Sequence, residues 1–437
     1  MNKKVSVSMM ITTVIIAMTV TFSITMVMAM RLFDSTVASV KEKESMYNKI
    51  AELDKYVRAN DYYAIDETTL YDTMTAGYLL GTGDRYAHYY PAAAYTELLD
   101  VQNGKKIGVG VELIKDSVTG FAQVTKVYNG SPAADLGMTV GCYITTIDGI
   151  EVKGISTADA IEARLRDESG TVVELGWLTE LAEVRTDTIT RRGYNMPSVE
   201  YQLLNESYGY LRILRFDDTT ASRLDYALGY LTRQGAKSLI VDLRDNAGGE
   251  LEATVECIDL ICPAGDIASI RDKNGAVTLL GESDARQQVT LPIVCVVNKN
   301  TASAAELFAY CARAMNGAML VGEATLGKGT VQSSPHRMSD GSAVVVTVGV
   351  LLACDGQSFD GTGLPVDVER VLAAEEQAEA PFYTPDTDPQ VQRALDLAGT
   401  LTGQATVGGE GAASSSASSQ PETDVPEGDS ASSAAAE

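Results

Sequence analysis

The chain has 437 residues, 45% hydrophobic and 21% charged, enough to fold roughly two to four domains rather than remain disordered. Lysine and arginine total 34 against 59 aspartates and glutamates, a net charge of −25, so the basic footprint of a nucleic-acid binder is missing. Six cysteines without a C-x-x-C pair, and two isolated histidines, His88 and His336, argue against a zinc site of standard spacing and against a Ser-His-Asp enzyme.

Behind Lys3 and Lys4 runs an uncharged stretch, Val5 to Met30, that as a helix would reach roughly 39 Å. Residues 1–30 are therefore expected to be a cytoplasmic stub and a single-pass signal-anchor, with everything after Arg31 outside the cell membrane. A cleaved signal peptide is the rival, with Val27-Met28-Ala29 near the cut, but its apolar core usually spans only about 7–15 residues. At the other end, residues 404–437 are acidic and rich in serine and alanine. They cannot bury enough surface to offset chain entropy, and a solvated, disordered tail is expected.

Residues 31–105 show apolar spacings near three and four over Leu32–Asn60 and Glu67–Leu80, which predicts a helical region. From Lys106 the period changes to two. Strands are expected at 106–114, 121–128, 142–148, 171–177 and 181–188. Ser131-Pro132 signals a short helix that stops at Gly137, and Ser156-Thr-Ala-Asp159 opens another that runs to about Asp167. Residues 106–188 resemble a PDZ domain through Ile107-Gly-Val-Gly-Val111, Asn129-Gly-Ser-Pro-Ala-Ala134 and Gly137–Gly149. The resemblance implies that Gly108, Val109, Gly110 and Val111 bind a peptide with a free apolar C-terminus, the peptide adding as a strand. Taken alone, the two glycines could instead mark a bulge.

From 189 to 403 strands and helices alternate, as in an α/β core with a C-terminal helix. Three loops carry chemistry. Ser303 lies where a strand meets a helix N-terminus, a position that suits a nucleophile whose product is an oxyanion, although a plain helix cap is the simpler role. Lys328 sits between Gly327 and Gly329. To act as a base it needs burial that lowers its pKa by several units, whereas a solvated lysine is the default. Asp245-Asn-Ala-Gly-Gly249 could supply an oxyanion hole from Gly248 or Gly249 with Ala304, or be an ordinary turn. The phosphate-loop pattern fails, because Gly329 follows Lys328.

Val241–Gly249, Thr301–Glu306 and Gly322–Gln332 together resemble the C-terminal processing peptidases, or tail-specific proteases. The likeness runs from about Leu32 to Leu401 and includes the PDZ insertion. It implies that Ser303 is the nucleophile, Lys328 its general base, Gln332 the group that positions the lysine, and Gly248 or Gly249 with Ala304 the oxyanion hole. Ala247, Ala305, Ala324 and Leu326 depart from the family's common residues without removing a functional group.

The expected protein is thus an α/β multidomain chain: membrane helix, helical region, PDZ-like β-rich domain and serine peptidase core. It needs no metal and no cofactor, acts on proteins with free apolar C-termini, contacts the membrane through its N-terminal helix and binds no nucleic acid. Whether it forms a homo-oligomer stays open. The alternative is an anchored, non-catalytic adaptor for C-terminal tails.

Overall fold

The computed structural model describes residues 7–102, 105–284 and 289–403. They divide into two compact units at Gly83/Asp84. In the first, α1 (Val7–Asn60) runs unbroken for 54 residues because the segment contains neither glycine nor proline. Helix α2 (Glu67–Gly81) starts at Asp66, whose carboxylate accepts the Thr69 N–H at 2.8 Å. Exposed Arg58 joins the two helices through Glu67.

The anchor expected over 1–30 does not appear as an element of its own, since α1 continues through it into the polar Tyr47–Asn60 stretch. Side chains from Val14 to Met28 are exposed, and the hydroxyls of Thr19, Thr21 and Thr25 turn back onto carbonyls four residues earlier. Among the described residues no helix is long and apolar enough to cross a membrane. Residues 1–6 of the expected anchor, and the expected tail 404–437, lie outside the described residues.

The second unit opens with β1 (His88–Tyr90) and α3 (Ala92–Gln102), so the region expected to be helical contains a strand. Three aromatic residues before Pro91 pair in antiparallel fashion with a strand some 250 residues later, a contact no local periodicity can reveal. The strand expected over 106–114 is divided at its glycines into β2 (Lys105–Gly108) and β3 (Val111–Lys115). There follow β4 (Ala122–Val127), α4 (Pro132–Asp135), β5 (Tyr143–Ile147), β6 (Ile150–Glu151), α5 (Ala158–Leu165), β7 (Val172–Leu178) and β8 (Val184–Thr190). They make an antiparallel sheet in the order β3-β4-β5-β7-β8, with β6 beside β5. Its core holds Val111, Val124, Ile144, Ile161, Leu175 and Trp177. Ser131 caps α4 as expected, whereas α5 is capped by Thr157 rather than Ser156 and ends at Leu165. Strand β9 (Arg192–Asn195) pairs with β2, closing the module at its neck.

The core begins with β10 (Val199–Leu204), which reverses through Asn205-Glu206 at φ 46° and 57° into β11 (Tyr208–Ile213). Next come α6 (Thr220–Arg233), β12 (Ser238–Asp242), α7 (Leu251–Asp259), the hairpin β13 (Gly265–Asp272) and β14 (Val277–Ser283), and β15 (Ile293–Val297). Then follow α8 (Ala304–Asn316), β16 (Met319–Gly322), β17 (Thr330–Gln332), β18 (His336–Arg337), β19 (Ala343–Val345), β20 (Thr347–Leu352), β21 (Val368–Glu369), α9 (Ala374–Glu379) and α10 (Pro389–Thr402). The central sheet runs β10-β11-β12-β15-β16-β21, parallel from β11 onward. Strands β12 and β15 are buried at every position because α6, α7 and α8 cover one face and α10 the other. The C-terminal ends of these strands carry the loops in which the chemistry was expected.

Candidate active site

Strand β15 ends at Val297 and the chain turns through Asn298–Ala302 to Ser303, the N-cap of α8. Ser303 has φ 58° and ψ −119°, a conformation that costs a residue with a Cβ roughly 1–3 kcal/mol. The surroundings hold it there. The Thr301 hydroxyl donates to the Leu243 carbonyl at 2.9 Å, and Ala302 N–H donates to the Asn246 carbonyl at 2.9 Å. The Asp245 carboxylate accepts the side-chain amides of Asn298 and Asn300 at 2.9 and 2.7 Å. A turn strained and braced in this way is more than a helix cap requires.

Loop 245–249 starts from a buried ion pair. Asp242, fully buried at the end of β12, meets Arg244 at 2.6 Å and the Tyr210 hydroxyl at 2.9 Å, while Arg244 reaches Asp388, the N-cap of α10, at 2.7 Å. Burial opposes the charge on Asp242, but the Arg244 guanidinium outweighs it and holds the carboxyl below the ordinary aspartate range. Beyond it, Gly248 takes φ +103° against Ser303. A Cβ there would lie 3.1 Å from the Ser303 Cβ and 3.0 Å from the Ala304 nitrogen. The Gly248 N–H is already bonded to Asn246 Oδ1 at 2.8 Å. The N–H groups of Gly249 and Ala304 have no hydrogen-bond partner among the described residues. Of the two glycines the sequence offers, Gly249 is therefore the one with a free donor.

Lys328 approaches from the loop after β16. Gly327, at φ +84°, and Gly329 lie so close to the 360–363 backbone that a Cβ at either would fall within 2.7 Å of it. Asp360 accepts the Gly329 N–H at 3.0 Å. The Lys328 ammonium is half-buried; desolvation lowers its pKa from the ordinary lysine value, against a smaller opposing pull from Glu306. Its Nζ lies 5.1 Å from the centre of the Tyr86 ring. No hydrogen bond joins the side chains of Ser303 and Lys328, both of them described residues. Nor does Gln332 bond to Lys328: its amide donates to the hydroxyls of Thr330 and Thr347 at 2.9 and 3.5 Å.

What unites the serine and lysine loops is Glu306, which sequence reasoning leaves without a role. It is completely buried in the first turn of α8. Its carboxylate accepts the N–H groups of Ser303 at 2.9 Å, Gly327 at 2.7 Å and Lys328 at 2.9 Å, and the Thr325 hydroxyl. All four partners are donors, so both oxygens are used and the two loops are pinned to one group. The Ser-x-x-Glu spacing of a capping box was the available signal. Asn246, Tyr86 and Asp84, which accepts both the N–H and the hydroxyl of Thr347 at 2.8 Å, likewise escape it.

The expected peptide-binding residues lie apart from this site, in the β-rich module. Val109 and Val111 are buried, and Gly110, at φ +85°, admits no side chain because a Cβ would stand 2.1 Å from that of Ser131. The cleft they share with Glu162, Leu165, Arg166 and Tyr194 has about 10 Å³ of room, closer to one water than to a peptide end. Among the described residues no group of three or more His, Cys, Asp or Glu side chains could hold a metal ion.

Peptidase family S41 matches residues 207–370, the stretch from β11 to just past β21. The carboxyl-terminal-processing protease of Synechocystis sp. (strain ATCC 27184 / PCC 6803 / Kazusa) is 32% identical over 319 residues, covering 71% of each chain. The carboxy-terminal processing protease CtpA of Bacillus subtilis (strain 168) is 29% identical over 350 residues, 80% of this chain and 73% of its own. Among solved structures, a putative S41 protease from Bacteroides fragilis shares the fold at a TM-score of 0.55 and 18% identity, covering 78% of this chain and 93% of its own. With such relatives matched over most of their length, the chain belongs to peptidase family S41, among the serine-type carboxyl-terminal processing proteases.

Proposed function

We propose that the chain is a membrane-anchored endopeptidase that works through a Ser303–Lys328 dyad on proteins presenting apolar C-termini. The observation that carries this reading is Glu306, one buried carboxylate that holds the backbone of both residues. Ser303 attacks the scissile carbonyl and passes its proton to the neutral amine of Lys328, which then protonates the leaving amine. The N–H groups of Gly249 and Ala304 receive the oxyanion. Substrate binding has to bring Nζ from the Tyr86 ring to the serine hydroxyl and Gln332 to the lysine. The β-rich module, read as a PDZ domain, takes the substrate tail along Gly108–Val111 once its cleft opens. Exposed apolar side chains from Val14 to Met28 support the anchor, with the catalytic unit outside the cytoplasm.

One observation favours the adaptor: Ser303 and Lys328 are not in hydrogen-bond contact. The two readings part in a cleavage assay. Full-length protein in detergent, wild type beside Ser303→Ala and Lys328→Ala, is mixed with an unstructured protein ending in apolar residues and followed by intact mass. Fragments from the wild type alone support the dyad. Tail binding by all three without fragments would favour the adaptor.

A further inference from the structure

We propose that Cys311 and Cys354 are a dithiol–disulfide pair, a redox modification site that links α8 to the chain leaving β20. Cys311 is fully buried in the middle of α8, and Cys354 lies two residues beyond Leu352, the last residue of β20, packed on the same core yet partly exposed. An independent contact brings these segments together: the neighbouring Tyr310 donates its hydroxyl to the carboxylate of Asp355, next to Cys354, at 2.8 Å. The Cys311 thiol donates to the Ile267 carbonyl at 3.4 Å, and the nearness of the two sulfurs raises the pKa of Cys311 and lowers that of Cys354. The accessible thiol is thus also the more readily ionised one, as an attacking thiol should be. A third sulfur, Cys262, donates to the Cys311 carbonyl at 3.6 Å and is itself buried, with burial pushing its thiol up to about 12. It is therefore the inert member of the group.

The oxidant is a disulfide, from a small molecule or an oxidoreductase. Cys354 thiolate attacks one sulfur of the external disulfide, forms a mixed disulfide and expels one thiol. Cys311 loses its proton, attacks the Cys354 sulfur and expels the second thiol, so one disulfide is consumed and one made. The proposed serine chemistry uses neither cysteine. Their position is nonetheless close to it: Ser303 immediately precedes α8, and the strand and loop around Cys354 hold the lysine loop through Leu351 N–H to the Gly329 carbonyl at 2.8 Å and through Asp360. Closing the pair ties the serine side of the site to the lysine side covalently.

The test equilibrates the full chain with oxidised glutathione, alkylates it, and maps it by mass spectrometry. The expected product is about 2 Da lighter than the reduced chain before alkylation, with a Cys311–Cys354 cross-linked peptide. Cys262→Ala keeps the cross-link and Cys354→Ser loses it, while the oxidised wild type survives heating longer than the Cys354→Ser chain. Six alkylatable thiols after oxidation, a glutathione adduct that persists on Cys354, a bridge that uses Cys262, or equal heat survival would overturn the proposal.

Discussion

Replacing Glu306 by glutamine tests whether one buried carboxylate organises both sides of the catalytic centre. Gln is nearly isosteric, so packing is kept and only hydrogen-bond polarity changes. Its single oxygen can keep two of the four donors, but its NH2 group then faces the other two. If the oxygen stays with Gly327 and Thr325, the N–H groups of Ser303 and Lys328 are orphaned in a buried site. An unsatisfied buried donor costs about 1–3 kcal/mol, so the variant should lose roughly 2–6 kcal/mol of stability. At a few degrees per kcal/mol that is a drop in Tm on the order of 10 °C. Activity should fall further than stability, about 100-fold or more in kcat at a temperature where the variant is still folded, because the two loops lose their common anchor. Differential scanning calorimetry and peptide cleavage read the two effects separately. A Glu306→Gln protein that melts within a degree of wild type and cleaves at the same rate would refute the reasoning.

Three further outcomes follow from the geometry. Gly248→Ala forces a methyl group into left-handed backbone space beside Ser303 and the Ala304 nitrogen, so cleavage should fall by about 100- to 1000-fold while substrate tails still bind in a pull-down or fluorescence assay. Burial lowers the pKa of Lys328. Cleavage should therefore rise with pH as its ammonium is lost and level off before an ordinary lysine would titrate, and Lys328→Met should abolish the rise. The same shift makes folding more favourable as pH climbs through that window, since the unfolded chain holds the proton more tightly. Asp242 acts with the same sign in an acidic window: its depressed pKa stabilises the fold above about 3.9, and that contribution disappears as acid protonates the folded carboxyl. Asp242→Asn should cost about 3–5 kcal/mol at pH 7 and flatten the acid limb of a stability profile followed by circular dichroism.

The parallel strands were easy to read from residues because each is a short run without polar interruption, as in Leu239–Val241 and Ile293–Val297. The α/β class follows from their alternation with amphipathic helices. Strands β13 and β14 were missed although Asn274-Gly275 marks their turn, since their alternation is diluted by Asp266, Arg271 and Asp272. Strands of two or three residues, such as β1 and β18, are too short to show any period. At the candidate site, the three loops were visible as motifs, and the structure brings Ser303, Gly248 and Ala304 together around the start of α8. What could not be seen is which amide stays free and where each side chain points. Gln332 illustrates this, for its partners Thr330 and Thr347 depend on a bulged β17–β20 pairing rather than on distance along the chain. Local sequence encodes the turn; the direction of a donor depends on what folds against it.

The clasp between Asp84 and Thr347 also has a consequence in time. It spans 263 positions, and beside it β1 pairs with β19. The ribosome adds about 5–20 residues per second, so residues 84–90 wait roughly 13–53 s for their partners to be made. During that interval the intervening β-rich module, whose own contacts are nearer in sequence, is free to fold first. The surface under Lys328 is assembled only when the two distant segments meet.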